Sequence, residues 1–252
     1  MAEGSIGLAL LTCAETFRIC APTIADAMFG DVPRERSTRR LKDWAARVVA
    51  LTEMDIDVHG LEHVDPNETY VVMSNHRSNY DIFVLFHAFP GVLRMVAKSE
   101  LAKIPILSGA MSAAEFVFIE RADRARALEA MQIAEARLHS GISVWIAPEG
   151  TRSEDGALLS FKKGGFMLAL GTKTKILPVT LLGTGAVLPP KEIRVHRGKH
   201  VDVRIHAPID PAEFGVDRRD ELMLRVREAM ASALPDELRE KSMSVGTSAR
   251  ET

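Results

Sequence analysis

Beyond Met54, short β-branched and apolar runs alternate with stretches whose apolar positions recur every three or four residues. The runs are Val71 to Met73, Leu93 to Ala97, Phe116 to Ile119, Ile142 to Ile146, Ile176 to Val179 and Val201 to His206. Helical periodicity covers Ile82 to Ala88, Glu100 to Ala113 and Arg124 to His139, and Gly141 supplies a C-terminal cap to the last of these. A further helix follows Asp217 as its cap, with Leu222, Val226 and Met230 facing inward. Strands alternating with helices predict an α/β domain over residues 55–236, built on a mostly parallel, mixed sheet covered by helices. From Glu240 the chain is polar, so residues 237–252 are expected to form a mobile tail. No internal repeat is evident.

The first 54 residues carry a different pattern. Gly4 to Ala14 is uncharged, but Glu15 and Arg18 interrupt the run before Ile19-Cys20-Ala21-Pro22. A spanning helix needs about 20 consecutive apolar residues, so this segment is expected to lie on a membrane rather than cross it. After Pro33 a second helix places Leu41, Trp44, Ala45, Val48 and Leu51 on one stripe, with Arg36, Arg39, Arg40, Lys42 and Arg47 around it. A basic amphipathic helix with an interfacial Trp, beside an apolar one, has the composition of a monotopic anchor to an anionic membrane surface. The competing expectation is that both helices pack on the core. The N-terminus lacks a basic leader region and a small-residue cleavage site, so a secretory signal is not predicted and the cytoplasmic face of the inner or plasma membrane is the expected location.

Composition narrows the functional classes. The chain has 252 residues, 46% of them hydrophobic, enough for one sizeable core and a short appendage. A formal net charge of -2 argues against a dedicated nucleic-acid binder. Cys13 and Cys20, seven apart, lie about 10 Å from each other on a helix at 1.5 Å rise per residue, too far for a disulfide, and read as inert thiols in a reducing compartment. His196 and His200 suggest a metal, but no further ligand completes a set and Arg194, Arg197 and Lys199 would repel a cation. No metal or cofactor is expected.

The candidate chemistry lies in Asn75-His76-Arg77-Ser78-Asn79-Tyr80-Asp81, directly after the first buried run. Ser78 or Asn79 is expected to cap the helix through Ala88, which folds the chain back and brings Asp81 to His76. A neutral imidazole takes a proton near pH 7, and a carboxylate on its other nitrogen fixes the tautomer and stabilises imidazolium. No serine or cysteine nucleophile is needed if the substrate brings its own hydroxyl. An isolated pair with this spacing reads equally as a capping histidine and a solvated aspartate. A second block, Ala147-Pro148-Glu149-Gly150-Thr151-Arg152-Ser153, follows another apolar run. Phe118-Ile119-Glu120-Arg121 and Ile176-Leu177-Pro178-Val179 follow or occupy two more.

In this order the four blocks resemble the glycerolipid acyltransferases that carry an N-H-x4-D motif, most closely the lysophosphatidic acid acyltransferases. The resemblance runs from about Val58 to Gly183, and the conjunction of N-H-x4-D with E-G-T-R is specific. It implies His76 as base, Asp81 as its partner and Arg152 as the residue gripping an acceptor phosphate, with Lys98 and Arg121 as further phosphate-side cations. Arg offers a planar fork matched to phosphate oxygens, and Lys a point charge. Gly150 allows close backbone approach, Thr151 completes the block, and Glu149 either bonds the glycerol hydroxyl or orients Arg152. Arg124, Arg126, Lys162 and Lys163 read as solvated charges. Two departures, Glu115 in place of a common glycine and Ala147 in place of a common phenylalanine, bear on acyl-chain preference.

The implied function is transfer of a fatty acyl group from acyl-CoA or acyl carrier protein to the sn-2 hydroxyl of 1-acylglycerol 3-phosphate, giving phosphatidic acid in phospholipid biosynthesis. Alternatives within the class use glycerol 3-phosphate, a lyso-ornithine lipid or another lysophospholipid as acceptor. A non-catalytic lipid-binding module would need the cations but not the His76 and Asp81 pair.

Overall fold

The computed structural model describes residues 4–120 and 123–248. Helix α1 (Ile6–Phe29) starts at Ser5, whose Oγ accepts the Leu8 N–H at 3.2 Å. It continues through Pro22, whose missing N–H costs one helical bond, and so reaches 24 residues. This corrects the expectation of a segment too short to span: α1 is long and apolar enough, by length and composition, to cross a membrane. Helix α2 (Arg34–Leu51) follows Pro33.

The sheet has seven strands: β1 (Asp55–His59), β2 (Val71–Ser74), β3 (Leu93–Lys98), β4 (Val117–Ile119), β5 (Ser143–Ile146), β6 (Ile176–Leu182) and β7 (His200–Ile205). Their order is β1-β7-β6-β2-β5-β3-β4, all pairs parallel except β6 with β7. Between the strands run α3 (Asp81–Ala88), α4 (Pro105–Ala113), α5 (Arg124–His139), α6 (Gly164–Thr172) and α7 (Thr184–Val187), with α8 (Arg219–Ala231) and α9 (Asp236–Ser248) after the last strand. Pro105 splits the helix expected from Glu100 to Ala113 into a 3-10 turn, Ser99–Lys103, and α4. Polar Asp55, Asp57 and His59 on the exposed face hid β1 as an edge strand. Successive residues of β2 feed opposite cores: Val72 packs under α2 and α3, while Val71 and Met73 pack under α5, α6 and α8. Leu222, Val226 and Met230 of α8 are fully buried as expected, although Arg218 rather than Asp217 precedes the helix.

Two expectations fail for one reason, a distant partner. The stripe of α2 does not face lipid: Leu41, Trp44, Ala45 and Val48 are buried, and the Trp44 ring meets Phe83 edge-on at 4.7 Å. Its cations are largely engaged, Arg36 and Arg40 with Asp26, Arg47 with Glu15, and Lys42 with the Pro90 carbonyl. The polar segment expected to be a mobile tail is instead helix α9 as far as Ser248, docked through buried Ser242. Residues 249–252 lie outside the described ones.

Glu115 adopts φ +68° at the corner between α4 and β4, where a glycine would be unstrained. Its carboxylate bridges Arg34 at 2.9 Å and Arg137 at 3.4 Å, and the Arg34 guanidinium holds its carboxyl below the usual range. It fastens the start of α2 to the corner whose neighbours Ala114 and Phe116 line an apolar recess.

Candidate active site

Strands β2, β5 and β3 are parallel neighbours, so the segments leaving their carboxyl ends gather at one edge of the sheet. Those segments carry His76, Glu149 to Arg152, and Lys98. They line one cavity of about 760 Å³, together with Asn79, Trp145, Lys162 and Gly165.

The turn after β2 is built around a single carboxylate oxygen. Asp81 Oδ2 accepts His76 Nδ1 at 2.7 Å, the Arg77 N–H at 2.8 Å and the Ser78 N–H at 3.0 Å. The expected Ser78 cap is present, its Oγ accepting the Tyr80 N–H at 3.2 Å, and the Asp81 side chain of the first helical residue reaches back to the same turn. Asp81 is fully buried, while the His76 side chain keeps 21% exposure at the cavity wall. With Nδ1–H donated to a carboxylate, Nε2 carries the free lone pair, the form a general base requires. The Arg77 and Ser78 N–H groups are thus committed to Asp81.

The backbone of His76 is pinned from both sides. Its N–H donates to Glu149 Oε1 at 3.0 Å, and its carbonyl accepts from the Ser153 N–H at 2.8 Å. Glu149 Oε2 accepts the Leu159 N–H at 2.8 Å. Both oxygens of this buried carboxylate thus accept backbone N–H groups, so Glu149 ties the His76 turn to the segment after Arg152 while still bordering the cavity. Burial pushes its carboxyl up to about 7, against the pull of its two N–H donors and nearby Arg227. Gly150 has φ +76°, which its lack of Cβ permits.

Arg152 is half-buried, Lys98 is exposed, and both reach the cavity wall, as do Thr151 and the acidic Glu100. Lys162, read from sequence as a solvated charge, lines it as well. None of Arg152, Lys98 and Lys162 forms an ion pair among the described residues. Arg121 lies outside the described residues. Asn75 was legible only as part of the motif; its amide exchanges two hydrogen bonds with Leu181, at 2.9 and 2.7 Å, and locks the end of β2 to β6.

A second, apolar recess of about 320 Å³ lies between α1, α2, α3 and α4. Asn79, Ile82, Met95 and Leu101 line both spaces, so the two are neighbours across a shared wall.

A family model described as Acyltransferase matches residues 55–182, from β1 to the end of β6. The chain belongs to this acyltransferase family. A 1-acyl-sn-glycerol-3-phosphate acyltransferase of Chlamydomonas reinhardtii is 35% identical over 185 residues, 73% of this chain and 54% of that protein. The chloroplastic LPAT1 of Arabidopsis thaliana, bearing the same description, is 37% identical over 64% of this chain and 45% of its own length. The chain thus spans about half the length of these curated relatives. A crystal structure of the 1-acyl-sn-glycerophosphate acyltransferase PlsC from Thermotoga maritima is similar with TM-score 0.71 and 29% identity, covering 88% of this chain and 92% of that one.

Proposed function

We propose that this protein is an O-acyltransferase that moves a fatty acyl group from acyl-CoA or acyl carrier protein to the sn-2 hydroxyl of 1-acylglycerol 3-phosphate, giving phosphatidic acid. The observation that carries this reading is the His76 and Asp81 pair, joined at 2.7 Å on the wall of a cavity that Arg152, Lys98 and Lys162 make cationic. The relatives named for this reaction support it. In the proposed mechanism His76 Nε2 takes the proton of the acceptor hydroxyl as its oxygen attacks the thioester carbonyl. The C–S bond then breaks and the leaving thiolate takes the proton back from imidazolium, so no covalent enzyme intermediate is needed. Arg152, with Lys98, Lys162 and Arg121, holds the acceptor phosphate. The apolar recess takes an acyl chain, its shared wall with the cavity placing the chain's head near His76.

Membrane attachment belongs to the same reading and rests on α1. Leu10, Phe17 and Met28, spaced seven and eleven residues apart, share one face and are 66%, 46% and 77% exposed. An exposed apolar face of this length matches a lipid contact, and we place it on the cytoplasmic side of the inner or plasma membrane as a monotopic attachment. Because most cations of α2 are engaged within the protein, apolar burial outweighs charge in this attachment. Replacing Leu10 and Phe17 with Ser should release the protein from anionic liposomes more than charge reversal at Arg39 does.

The deciding assay incubates the full chain in detergent with lysophosphatidic acid, glycerol 3-phosphate or lyso-ornithine lipid and a panel of acyl-CoA and acyl carrier protein thioesters. Fastest turnover of lysophosphatidic acid supports the assignment; preference for another acceptor corrects the substrate. No turnover with any pair makes the protein a lipid-binding module.

A further inference from the structure

The family match ends at Leu182, yet the segment carrying Arg152 is also gripped by residues beyond that point. Residues 150–159 leave β5, make no strand or helix, and pass beneath α8 and α9. Arg227 of α8 is 4% exposed and faces no carboxylate at contact distance. Its guanidinium lies 4.2 Å above the Phe161 ring and donates to three carbonyls: Leu158 at 3.3 Å, Leu159 at 2.5 Å and Ser242 at 2.8 Å. Ser242 of α9 is fully buried; its Oγ accepts the Leu158 N–H at 2.8 Å and donates to the Leu238 carbonyl. Leu159, gripped by Arg227 through its carbonyl, gives its N–H to Glu149, and Glu149 accepts the His76 N–H with its other oxygen. Hydrogen bonds therefore run from the C-terminal helix to the backbone of the base through named donors and acceptors, all buried or half-buried.

A guanidinium placed in the interior is costly unless its donors are satisfied, and hydrophobic residues of similar volume often stabilise such a site more. A buried cation devoted to loop carbonyls is thus poorly explained by stability alone. It is explained by geometry, because a displacement of about 1 Å at a reacting group can cost about 100-fold in rate.

We infer that Arg227 and Ser242 are positioning residues for acyl transfer: they fix the 150–159 loop from outside the family's matched region and, through Glu149, hold the backbone of His76 in register with Asp81. The inference rests on the proposed reading of His76 as base and Arg152 as the acceptor's anchor.

Its test compares Ser242→Ala, Ser242→Thr and Arg227→Lys in the full chain, with the fraction of folded protein measured for each. The expected result for Ser242→Ala and Arg227→Lys is a fall of about tenfold in kcat per folded molecule, with a raised acceptor KM and a donor KM within about twofold of wild type. Ser242→Thr, which keeps the hydroxyl acceptor, should restore most of kcat. Combining Ser242→Ala with Glu149→Gln should be no worse than the poorer single variant by more than about twofold, because both break one chain of contacts. Lower melting temperature with wild-type kcat and KM in the folded fraction would overturn the inference, and Arg227→Lys decides the matter should Ser242→Ala not fold. His76→Ala separates the two claims. If it stays active, the proposed function fails; if it is inactive while the folded clamp variants are kinetically silent, only the inference fails.

Discussion

The turn from His76 to Asp81 and the loop from Gly150 to Leu159 face the same cavity but are held in opposite ways. In the turn, one carboxylate oxygen collects three donors from residues three to five positions away. In the loop, beside the bonds of Ser153 to His76 and of Leu159 to Glu149, fixing contacts come from α8 and α9, with Leu158 bonded to a residue 84 positions later and Leu159 to one 68 later. A device closed within six residues keeps its geometry wherever its strand ends. A loop gripped from afar keeps its geometry only while distant helices stay docked, so damage to it should raise the acceptor KM and lower kcat through the Glu149 bond to the His76 N–H, by less than loss of the base itself.

The contrast breaks most visibly at the turn. His76→Ala should lower kcat about 10²–10⁴-fold with little change in melting temperature, the usual contribution of a positioned base. Asp81→Asn should come close, since an amide cannot stabilise imidazolium, and should also loosen the turn by weakening its bonds to two backbone N–H groups. Steady-state kinetics at saturating acceptor check this; a His76→Ala protein retaining half the wild-type rate would refute the base assignment.

Glu149 belongs to both regions and yields the next largest effect. Its folded-state pKa of about 7 lies above the ordinary 4.5, so the folded protein binds this proton more tightly than the unfolded chain does. The resulting stability is fully present below about pH 4.5 and is lost as pH rises through about 7, a swing of ~3 kcal/mol. His206 acts oppositely, its pKa pressed down to about 4 by burial, so that stability falls as pH drops from 6.5 towards 4. The difference between wild type and Glu149→Gln isolates the carboxylate: the wild type should lose stability relative to the variant between pH 5 and pH 8 in denaturant titrations. A constant difference would show that Glu149 is ionised throughout.

Smaller still is Arg152→Ala. Loss of a charge-assisted contact of about 1.5–3 kcal/mol should raise the acceptor KM about 10- to 100-fold, with a modest change in kcat. Arg152→Lys should recover part of it, since the planar fork is gone. A raised donor KM with unchanged acceptor KM would move Arg152 to the donor's phosphates.

The same distinction between local and distant partners explains what the sequence made legible. Strand β2 and the pair His76 and Asp81 were readable because run, turn and helix are contiguous. The role of Glu149 was not, because its partners are the N–H groups of residues 76 and 159, and no side-chain pattern announces a backbone donor. Trp44 on its basic helix looked interfacial; only the arrival of Phe83 and Phe86 from α3 shows that the stripe points inward. Polar α9 was read as a tail because it docks through the small buried Ser242 and only two apolar side chains, Leu238 and Met243, too few for hydropathy to register. Lys162, an exposed lysine, looked like an ordinary surface charge until the fold placed it on the cavity that Arg152 also lines.

The smallest effect sharpens the comparison by grading the loop's distant grips. Lys241 of α9 pairs with Asp155 in the same loop that Arg227 and Ser242 hold, and this pairing takes the Asp155 carboxyl down to about 2. Yet the two side chains are 57% and 47% exposed, so solvent screens the pair and the low carboxyl pKa does not convert into stability at face value. Exposed ion pairs typically contribute about 0.2–1 kcal/mol, and less as salt is added. Lys241→Ala should therefore lower stability only slightly and leave kcat within about twofold, with the loss shrinking further in ~1 M salt. Urea titrations at low and high salt, beside the kinetic constants, measure both. If Lys241→Ala instead slowed turnover as much as Ser242→Ala, the loop would be held by its exposed edge rather than by its buried one, and the contrast between a self-contained turn and a loop gripped from the protein interior would lose its physical basis.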